Sequence, residues 1–480
     1  SEPGANSPTY VDPLTISRTG VVRARALIDG QLEGPVATAT YIIGDAHDLP
    51  IASIVTEPEL LFDPVDGMYE LGPRAESRFP YFGANFWEDR EIAGHVELFE
   101  YGSSQARLNA TTGISIIGGW SRAFPQKSLG LFARGRYGDR EFALPLFPDR
   151  PFGSYQTFIL RNSGIDWNST MLRDGFLQQI VADTDADRLE YRPAILYLNG
   201  QYWGIHNIRE KINEHYAAAL GETRADQIDM IALDTDQPPG DPEIIEGDAE
   251  HYEQLLSLVS TTDMSAPSGL EGAAAMMDIN NFVDYQIAQI FVGNTDWPGN
   301  NVKLWRPRTA TGKWRWVLFD LDFGFGRWNR EDYAHTTLTF ATEANGPDWP
   351  NPPWSTFLFR KLLENSEFRR AFINRYADLL NSAFRPAHVY AVLDSLQNLI
   401  GPEMPDHTAR WGGSYAAWLA QVDDLRYYAE NRPEAAEGHL RSFFQLGNSV
   451  PISVDASSGG SVIVNRLHVD DFPWTGRYYP

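Results

Sequence analysis

The sequence predicts an α+β protein: a two-lobed body, β-rich first and helical second, flanked by partial β modules. Three observations lead there. Apolar and polar residues alternate, with β-branched enrichment, through most of the chain up to Glu210. Helical spacing takes over beyond Glu210 and occupies nearly everything from Ser355 to about Phe444. The last 30 residues then return to strand-like patterning. A β-rich half feeding a helical half is the pattern of segregated layers, not of alternating β-α units.

In chain order, GVVRARALIDG (20–30) and VATATYIIG (36–44) read as two strands around the turn-forming pair Asp29-Gly30. Two strands are too few to close a sandwich, so residues 1–47 are expected to be part of a small β module. After a linker, IASIV (51–55), HVELFEY (95–101), ISIIGGW (114–120), KSLGLFAR (127–134) and QTFILRN (156–162) continue as strands. STMLRDGFLQQIVADT (169–184) spaces Met171, Leu172, Phe176, Leu177 and Ile180 as a helix, with Ser169 as its expected N-cap. RPAILYLNG (192–200) and QYWGIHNIRE (201–210) form a hairpin, because Asn199-Gly200 is the strongest short-range hairpin signal in the chain. INEHYAAALG (212–221), EHYEQLLSLVS (250–260) and INNFVDYQIAQIFVGN (279–294) read as helices. A second hairpin joins VKLWRP (302–307) to KWRWVLFDLDFGFG (313–326), and SVIVNRL (461–467) is a strand after the loop Ser457-Ser458-Gly459-Gly460. No repeat period or low-complexity tract is present.

Composition bounds the function. The 480 residues predict two to three domains, at about 150 residues each. With 43% apolar and 21% charged residues the chain is globular, not disordered. A net charge of −25 argues against sequence-independent binding to nucleic acid or to anionic lipid. The absence of cysteine excludes a disulfide framework, thiolate metal sites and thiol nucleophiles. No apolar run approaches the ~18 residues of a membrane helix. Ser1 is not a start Met and no signal-like segment follows it, so a trimmed or mature chain is expected. The acidic balance with 14 Trp and 21 Tyr fits an exported or salt-tolerant protein.

Phosphate-loop, zinc-protease, nucleophile-elbow and dinucleotide signatures are absent. Asp183, Asp185 and Asp187 imitate the start of a calcium loop, but Arg188 and Ala194 stand where Gly and Glu are needed. They read as a solvated helix end.

The concentrated signal is NTDWPGNN (294–301) followed by FDLDFGFG (319–326). Asp296 and Asn301 are spaced as in the D-x-x-x-x-N of a protein-kinase catalytic loop, where Asp accepts a hydroxyl proton and Asn holds a metal. Asp320 and Asp322 occupy alternate positions after the apolar run WVLF, so a continuing strand would put both on one face. Like charges on one face cost free energy unless a cation or a basic group neutralises them, which points to Mg²⁺. A hydrogen-bonded turn and surface carboxylates are the plainer reading of the same residues. RAFPQKSLGLF (122–132) places Lys127 at the head of a strand, after a Gly-Gly turn and the polar pair Ser121-Arg122. Phosphoryl transfer needs a fixed cation on the phosphates, and the order Lys, Asp/Asn, metal Asp is that of kinases.

These segments, together with FILRNSGIDWNSTMLRDGF, PAILYLNGQYWGIHNIREKI and EMPDHTARW, resemble the spore coat protein H (CotH) kinase family of atypical secreted or surface protein kinases. The resemblance spans roughly residues 48–445, in family order. It implies an atypical kinase-like domain over 48–450, between a partial sandwich-like module at 1–47 and the start of a C-terminal β module at 451–480. It also implies ATP and Mg (or Mn) as cofactors and a protein acceptor. Asp296 would be catalytic, and Asn301, Asp320 and Asp322 metal ligands, with Asp320 favoured as the principal one. Lys127, with Ser121 and Arg122 nearby, would contact the nucleotide phosphates. Glu210 would meet the ribose or pair with Lys127; the plainer alternative is a surface carboxylate at the next helix's N-terminus.

The chain departs from ordinary kinases in four ways. No Gly-rich loop precedes Lys127, Asn294 and Thr295 replace the usual His and Arg, no APE-type activation segment is visible, and Lys127 to Asp296 spans 169 residues. The leading expectation is an ATP·Mg-dependent phosphotransferase acting on hydroxyls of exported proteins. The alternatives are a catalytically degenerate surface scaffold with a kinase-like body and, more remotely, a carboxylate-pair glycosidase.

Overall fold

A computed structural model describes residues 2–28, 31–456 and 460–480. The Asp29-Gly30 turn and most of the Ser457–Gly460 loop lie outside them. The chain divides into two compact units: Ser1–Met171, Tyr191–Lys211 and Gln397–Trp418 form the first, and Leu172–Glu190, Ile212–Leu396 and Leu419–Pro480 the second. Strands dominate the first and helices the second, as an α+β chain requires.

In the first unit the expected strands do more than pair. Seven of them close a barrel in the order Gln201–Glu210, Thr157–Arg161, Ser128–Phe132, Ala106–Ile117, Ile92–Phe99, Ile51–Val55 and Tyr191–Leu198. Closure comes from the parallel pairing of Ile51–Val55 with Tyr191–Leu198, which removes both free sheet edges. Ile54, Val96, Leu98, Ile114, Leu129, Leu131, Phe158, Leu160 and Leu196 fill the core, each fully buried. Asn199 and Gly200 both take positive φ (51° and 75°), the geometry of the predicted hairpin turn. The helix Met404–Trp411 belongs to this unit: Ile205 N donates to His407 Nδ1 (3.1 Å), and Trp411 Nε1 donates to the Trp203 carbonyl (2.9 Å). Outside the barrel, Gly20–Ile28 and Gln31–Tyr41 form the two-stranded sheet expected near the N-terminus.

The second unit is built around the helix Ile279–Val292, buried on nearly every side. Asp278 caps it by accepting from Asn280 N and Asn281 N, and Gly293 ends it at φ 67°. Two of its buried polar residues find partners in neighbouring elements. Asn281 bonds both the backbone N–H and carbonyl of Trp316, and Asp284 takes two bonds from Arg375 at 2.7 and 2.9 Å. A five-stranded sheet runs in the order Glu243–Glu246, Ile228–Leu233, Val302–Pro307, Arg315–Leu318 and Asp187–Arg188. The C-terminal strands Val450–Val454 and Trp474–Tyr478 pair, and Tyr478 Oη donates to Asp378 Oδ1 (2.8 Å) on the helix Ser366–Leu380.

Three expectations need correction. The helix read over 169–184 is only Arg173–Gln179, and Ser169 does not cap it. Asp166 accepts from both the backbone and the hydroxyl of Thr170 (3.3 and 2.5 Å), and this local competition holds the preceding residues in a 3₁₀ turn. SVIVNRL is not one strand but a hairpin, Val462–Val464 against Leu467–Val469, turning at Asn465 with φ 52°. Asp185 and Asp187 are not merely solvated: Asp187 accepts from Trp305 Nε1 (2.9 Å) and pairs with Arg315, while Asp185 pairs with Arg466.

Candidate active site

In the first unit, Ser121 and Arg122 lie in a 3₁₀ turn, Trp120–Ala123, and Lys127 immediately precedes the barrel strand Ser128–Phe132. The strand head is held by a polar lattice. Asn162 Nδ2 donates to the Gln126 carbonyl (2.6 Å) and Ser128 Oγ to Asn162 Oδ1 (2.8 Å). Gln126 Nε2 donates to the Trp203 and Ile205 carbonyls (3.0 and 2.9 Å), and Trp167 Nε1 to Gln126 Oε1 (2.7 Å). His206 sits beside the Lys127 carbonyl, and full burial pushes its pKa down to about 4, so the ring is neutral.

Lys127 is 3% exposed. Its Nζ donates to the carbonyls of Arg122 (2.6 Å) and Phe124 (3.1 Å) and lies 3.9 Å from the centre of the Phe86 ring. Loss of water around the ammonium lowers its pKa to about 7, against an opposing pull from Glu70. Glu210 is also buried, and Arg150 grips it by two bonds at 3.0 and 2.8 Å. Of the roles expected for Glu210, pairing with Lys127 is therefore not formed. Nor is Glu210 a surface carboxylate capping the next helix, since Asn213 Oδ1 caps it by accepting from Tyr216 N (3.0 Å).

The state of Lys127 has a consequence for stability. Between pH 7 and 10.5 the unfolded lysine is charged while the buried one is largely neutral, so the unfolded chain binds more protons and stability rises with pH. The desolvation cost is fully present below pH 7. Lys127→Met is expected to raise stability by about 2–4 kcal/mol at pH 6, with the gain shrinking toward pH 10. Urea unfolding of both proteins at the two pH values checks this; a pH-independent difference would contradict it.

In the second unit, the buried helix Ile279–Val292 delivers the segment Asn294–Asn301. Asn294 is pinned by Gln289: its Nδ2 donates to Gln289 Oε1 (3.0 Å), and its Oδ1 accepts from Asp296 N (3.0 Å). Asp296, 9% exposed, accepts from Asn300 Nδ2 at 2.8 Å and Asn301 Nδ2 at 2.9 Å, one amide on each carboxylate oxygen. Burial raises its pKa to about 6; the two amides oppose that shift, and the negative charge of Asp320 adds to it. Asp296 is thus poised to exchange a proton near neutrality.

The expectation that Asp320 and Asp322 project from one face of a strand fails. The strand Arg315–Leu318 ends before them. Asp320 takes φ 55° and ψ 48°, and Leu321–Phe323 is a 3₁₀ turn, so strand alternation no longer governs their side chains. This turn is anchored at both ends. Leu321 N donates to Asp174 Oδ1 (2.9 Å), and Arg173 donates to the carbonyls of Gly324 and Phe325 (3.1 and 2.7 Å). Asp320 is half-buried and Asp322 buried.

These oxygens suit a hard divalent cation. Asp320 is close enough to Asp296 for like-charge repulsion to be felt, and a cation beside Asp320 would remove it. Among the described residues, no three His, Asp or Glu side chains converge into an all-protein cage. Mg²⁺ commonly takes one or two carboxylates and completes its shell with water and phosphate oxygens. Asn301 Oδ1, opposite the N–H group used on Asp296, is a further available donor type.

Some contributors went unread in the sequence. Asn300 stands inside the NTDWPGNN motif and was detectable there. Gln126, Asn162 and His206 carry no local signal, because the bonds that join them to the Lys127 strand head and the neighbouring strands reach across 34 to 80 residues.

Among curated proteins none matches the chain. The family described as CotH kinase protein matches residues 114–436, which is more than half of the sequence and includes Ser121, Arg122, Lys127, Glu210, Asp296, Asn301, Asp320 and Asp322. With the α+β architecture and the NTDWPGNN and FDLDFGFG segments inside that span, the chain belongs to the CotH kinase family.

Proposed function

We propose that this kinase-family protein is an ATP- and Mg (or Mn)-dependent phosphotransferase acting on hydroxyl side chains of exported or surface proteins, with its kinase body spanning residues 48–450. The observation that carries this reading is Asp296: a buried carboxylate, oriented by two asparagine amides, with a pKa near 6 beside a second carboxylate.

In this reading Asp296 accepts the proton of the acceptor hydroxyl as its oxygen bonds to the terminal phosphorus and the bond to the departing ADP oxygen breaks. Asn300 and Asn301 keep the carboxylate pointed at that proton. Asp320, with Asp322 and Asn301, would hold the cation, which would supply charge neutralisation at the phosphates. Lys127 engages the phosphates by exchanging the Arg122 and Phe124 carbonyls for phosphate oxygens, with Ser121 and Arg122 nearby. Glu210, already held by Arg150, orients the nucleotide's ribose. A chain carrying −25 has little to offer an unaccompanied polyanion, so nucleotide binding should require the cation.

The test is thermal melting with ATP plus Mg²⁺ or Mn²⁺, on the wild type and on Asp320→Ala. A ligand at 100 times its Kd stabilises the native state by about 2.7 kcal/mol. The wild type should melt higher with metal and nucleotide together and be unmoved by ATP with chelator; Asp320→Ala should not respond. No shift with any nucleotide and metal would leave a surface scaffold whose kinase resemblance records ancestry alone.

A further inference from the structure

The turn that carries Asp320 and Asp322 is shaped by one short helix, Arg173–Gln179. Two constraints meet on Asp320. On its N-terminal side, the strand Arg315–Leu318 pairs in parallel with Asp187–Arg188, so that Leu318 lies opposite Arg188. On its C-terminal side, Leu321 N donates to Asp174 Oδ1 (2.9 Å). Only Phe319 and Asp320 separate these fixed points, and the chain closes the gap by taking Asp320 to φ 55° and ψ 48°. A β-carbon disfavours that left-handed conformation, which persists where the surroundings enforce it.

The two fixed points are themselves joined. Gln178 Nε2 donates to the same Asp174 oxygen (2.9 Å), and Gln178 Oε1 accepts from the N–H of Leu189 (2.7 Å), the residue after Arg188. Asp174 and Gln178 are one helical turn apart, which brings their side chains together. Both are buried, so water is poorly placed to substitute for either bond. The same helix holds the far end of the turn. Arg173 Nη1 donates to the Gly324 and Phe325 carbonyls (3.1 and 2.7 Å), and the Phe176 and Phe325 rings meet edge to face at 5.4 Å.

We propose that Asp174 is a positioning residue for the metal site. Through Leu321 N it holds Asp320 in the left-handed conformation from which the Asp320 carboxylate would ligate the cation. Asp174 thereby sets metal affinity without being a ligand. The inference rests on Asp320 being a metal ligand, as in the reading above. Groups that hydrogen-bond around a ligating residue fix its orientation, and their loss commonly costs about 10- to 100-fold in metal affinity. Without the Asp174 oxygen, Asp320 can return to negative φ, which re-aims its side chain. Asparagine at 174 keeps an oxygen that accepts from Leu321 N, whereas alanine offers none.

The test is Mn²⁺ binding to the full chain by electron paramagnetic resonance, with and without a non-hydrolysable ATP analogue. The variants are Asp174→Ala, Asp174→Asn and Gln178→Ala, with Asn365→Ala as the structural control. Asn365, equally buried in the same unit, caps the helix Ser366–Leu380 and donates to the Met264 carbonyl (3.0 Å). Circular dichroism and melting report the folded fraction of each. Asp174→Ala should weaken Mn²⁺ binding by about 10- to 100-fold, and Asp174→Asn should stay within about threefold of the wild type. Gln178→Ala leaves the Leu321 acceptor in place but untethers it, and should weaken binding by about three- to tenfold even if Asp174→Ala does not fold. Asn365→Ala should melt lower with its Mn²⁺ affinity unchanged.

Equal affinity in the wild type, Gln178→Ala and the Asp174 variants overturns the role of Asp174 and leaves the metal reading standing. An equal loss in Asn365→Ala also overturns it, because general loosening would then suffice. No Mn²⁺ bound by the wild type with the analogue overturns the metal reading and this inference together. The expected ranking of affinities, with no protein acceptor labelled from ATP, overturns the phosphotransfer reading while the role of Asp174 stands.

Discussion

Asp296→Asn is expected to lower phosphotransfer by about 10²- to 10⁴-fold, the usual worth of a positioned general base. The loss should fall on turnover, because the metal and nucleotide contacts assigned to Asp320 and Lys127 stay in place. A melting shift with ATP and Mg²⁺ that survives in Asp296→Asn would separate the two roles. The substitution has a structural cost: Asn300 and Asn301 each donate to one carboxylate oxygen, so the new amide N–H group faces a donor and one neighbouring amide must turn over. In the wild type, kcat/KM should rise with pH through a midpoint of about 6, where the Asp296 carboxyl ionises in the free protein. A bound cation beside Asp320 weakens the like-charge contribution and moves the midpoint of kcat lower. Retention of full turnover in Asp296→Asn would remove the base from the mechanism.

The second large effect belongs to Arg432, 1% exposed. Its guanidinium donates to the carbonyls of Ile290 and Phe291, which close the C-terminal turn of the buried helix, at 2.6 and 2.8 Å. It also donates to the carbonyls of Tyr333 and His335 at 2.6 and 2.8 Å. A helix C-terminus leaves its last carbonyls unpaired and carries partial negative charge, so a cation with several donors satisfies both needs at once. Arg432→Ala removes a donor from four carbonyls, of which Ile290 still accepts from Gly293 N (3.3 Å) and His335 from Thr337 N (2.9 Å), and the expected loss is about 3–5 kcal/mol in denaturant unfolding. Arg432→Lys should recover little, because a single ammonium cannot reproduce the planar fork. Since this helix end feeds directly into Asn294–Asn301, activity should fall even where the variant remains folded. A change below about 1 kcal/mol would show that water replaces the guanidinium at little cost.

The contrast between Asp296 and Arg432 shows what can be read from a linear chain. Asp296, Asn300 and Asn301 fall within six residues, and their mutual bonds are local, so the motif already held the geometry. Arg432 reaches carbonyls 97 to 142 positions away and sits in a stretch, NRPEAAE, that reads as ordinary helix. Asp320 and Asp322 mark the boundary between these cases. Their residue types and spacing were visible, but the strand that would have aligned them stops at Leu318, where the chain turns through a left-handed residue held by Asp174 and Arg173. Ser169 failed as a cap for a local reason: a side-chain bond spanning four residues, Thr170 to Asp166, outweighed the helical spacing.

Periodicity, turn pairs and helix caps act over a few residues, so the order of strands and helices, the Asn199-Gly200 hairpin and the α+β class followed from the amino acids alone. So did the membership in the CotH kinase family and the types of group offered for chemistry. Closing seven strands into a barrel, pressing Lys127 onto Phe86 until its proton is loosely held and raising the Asp296 pKa to about 6 required the folded chain. Each depends on the removal of water and on contacts between distant segments, and desolvation is a property of the packed interior that no short window of sequence contains.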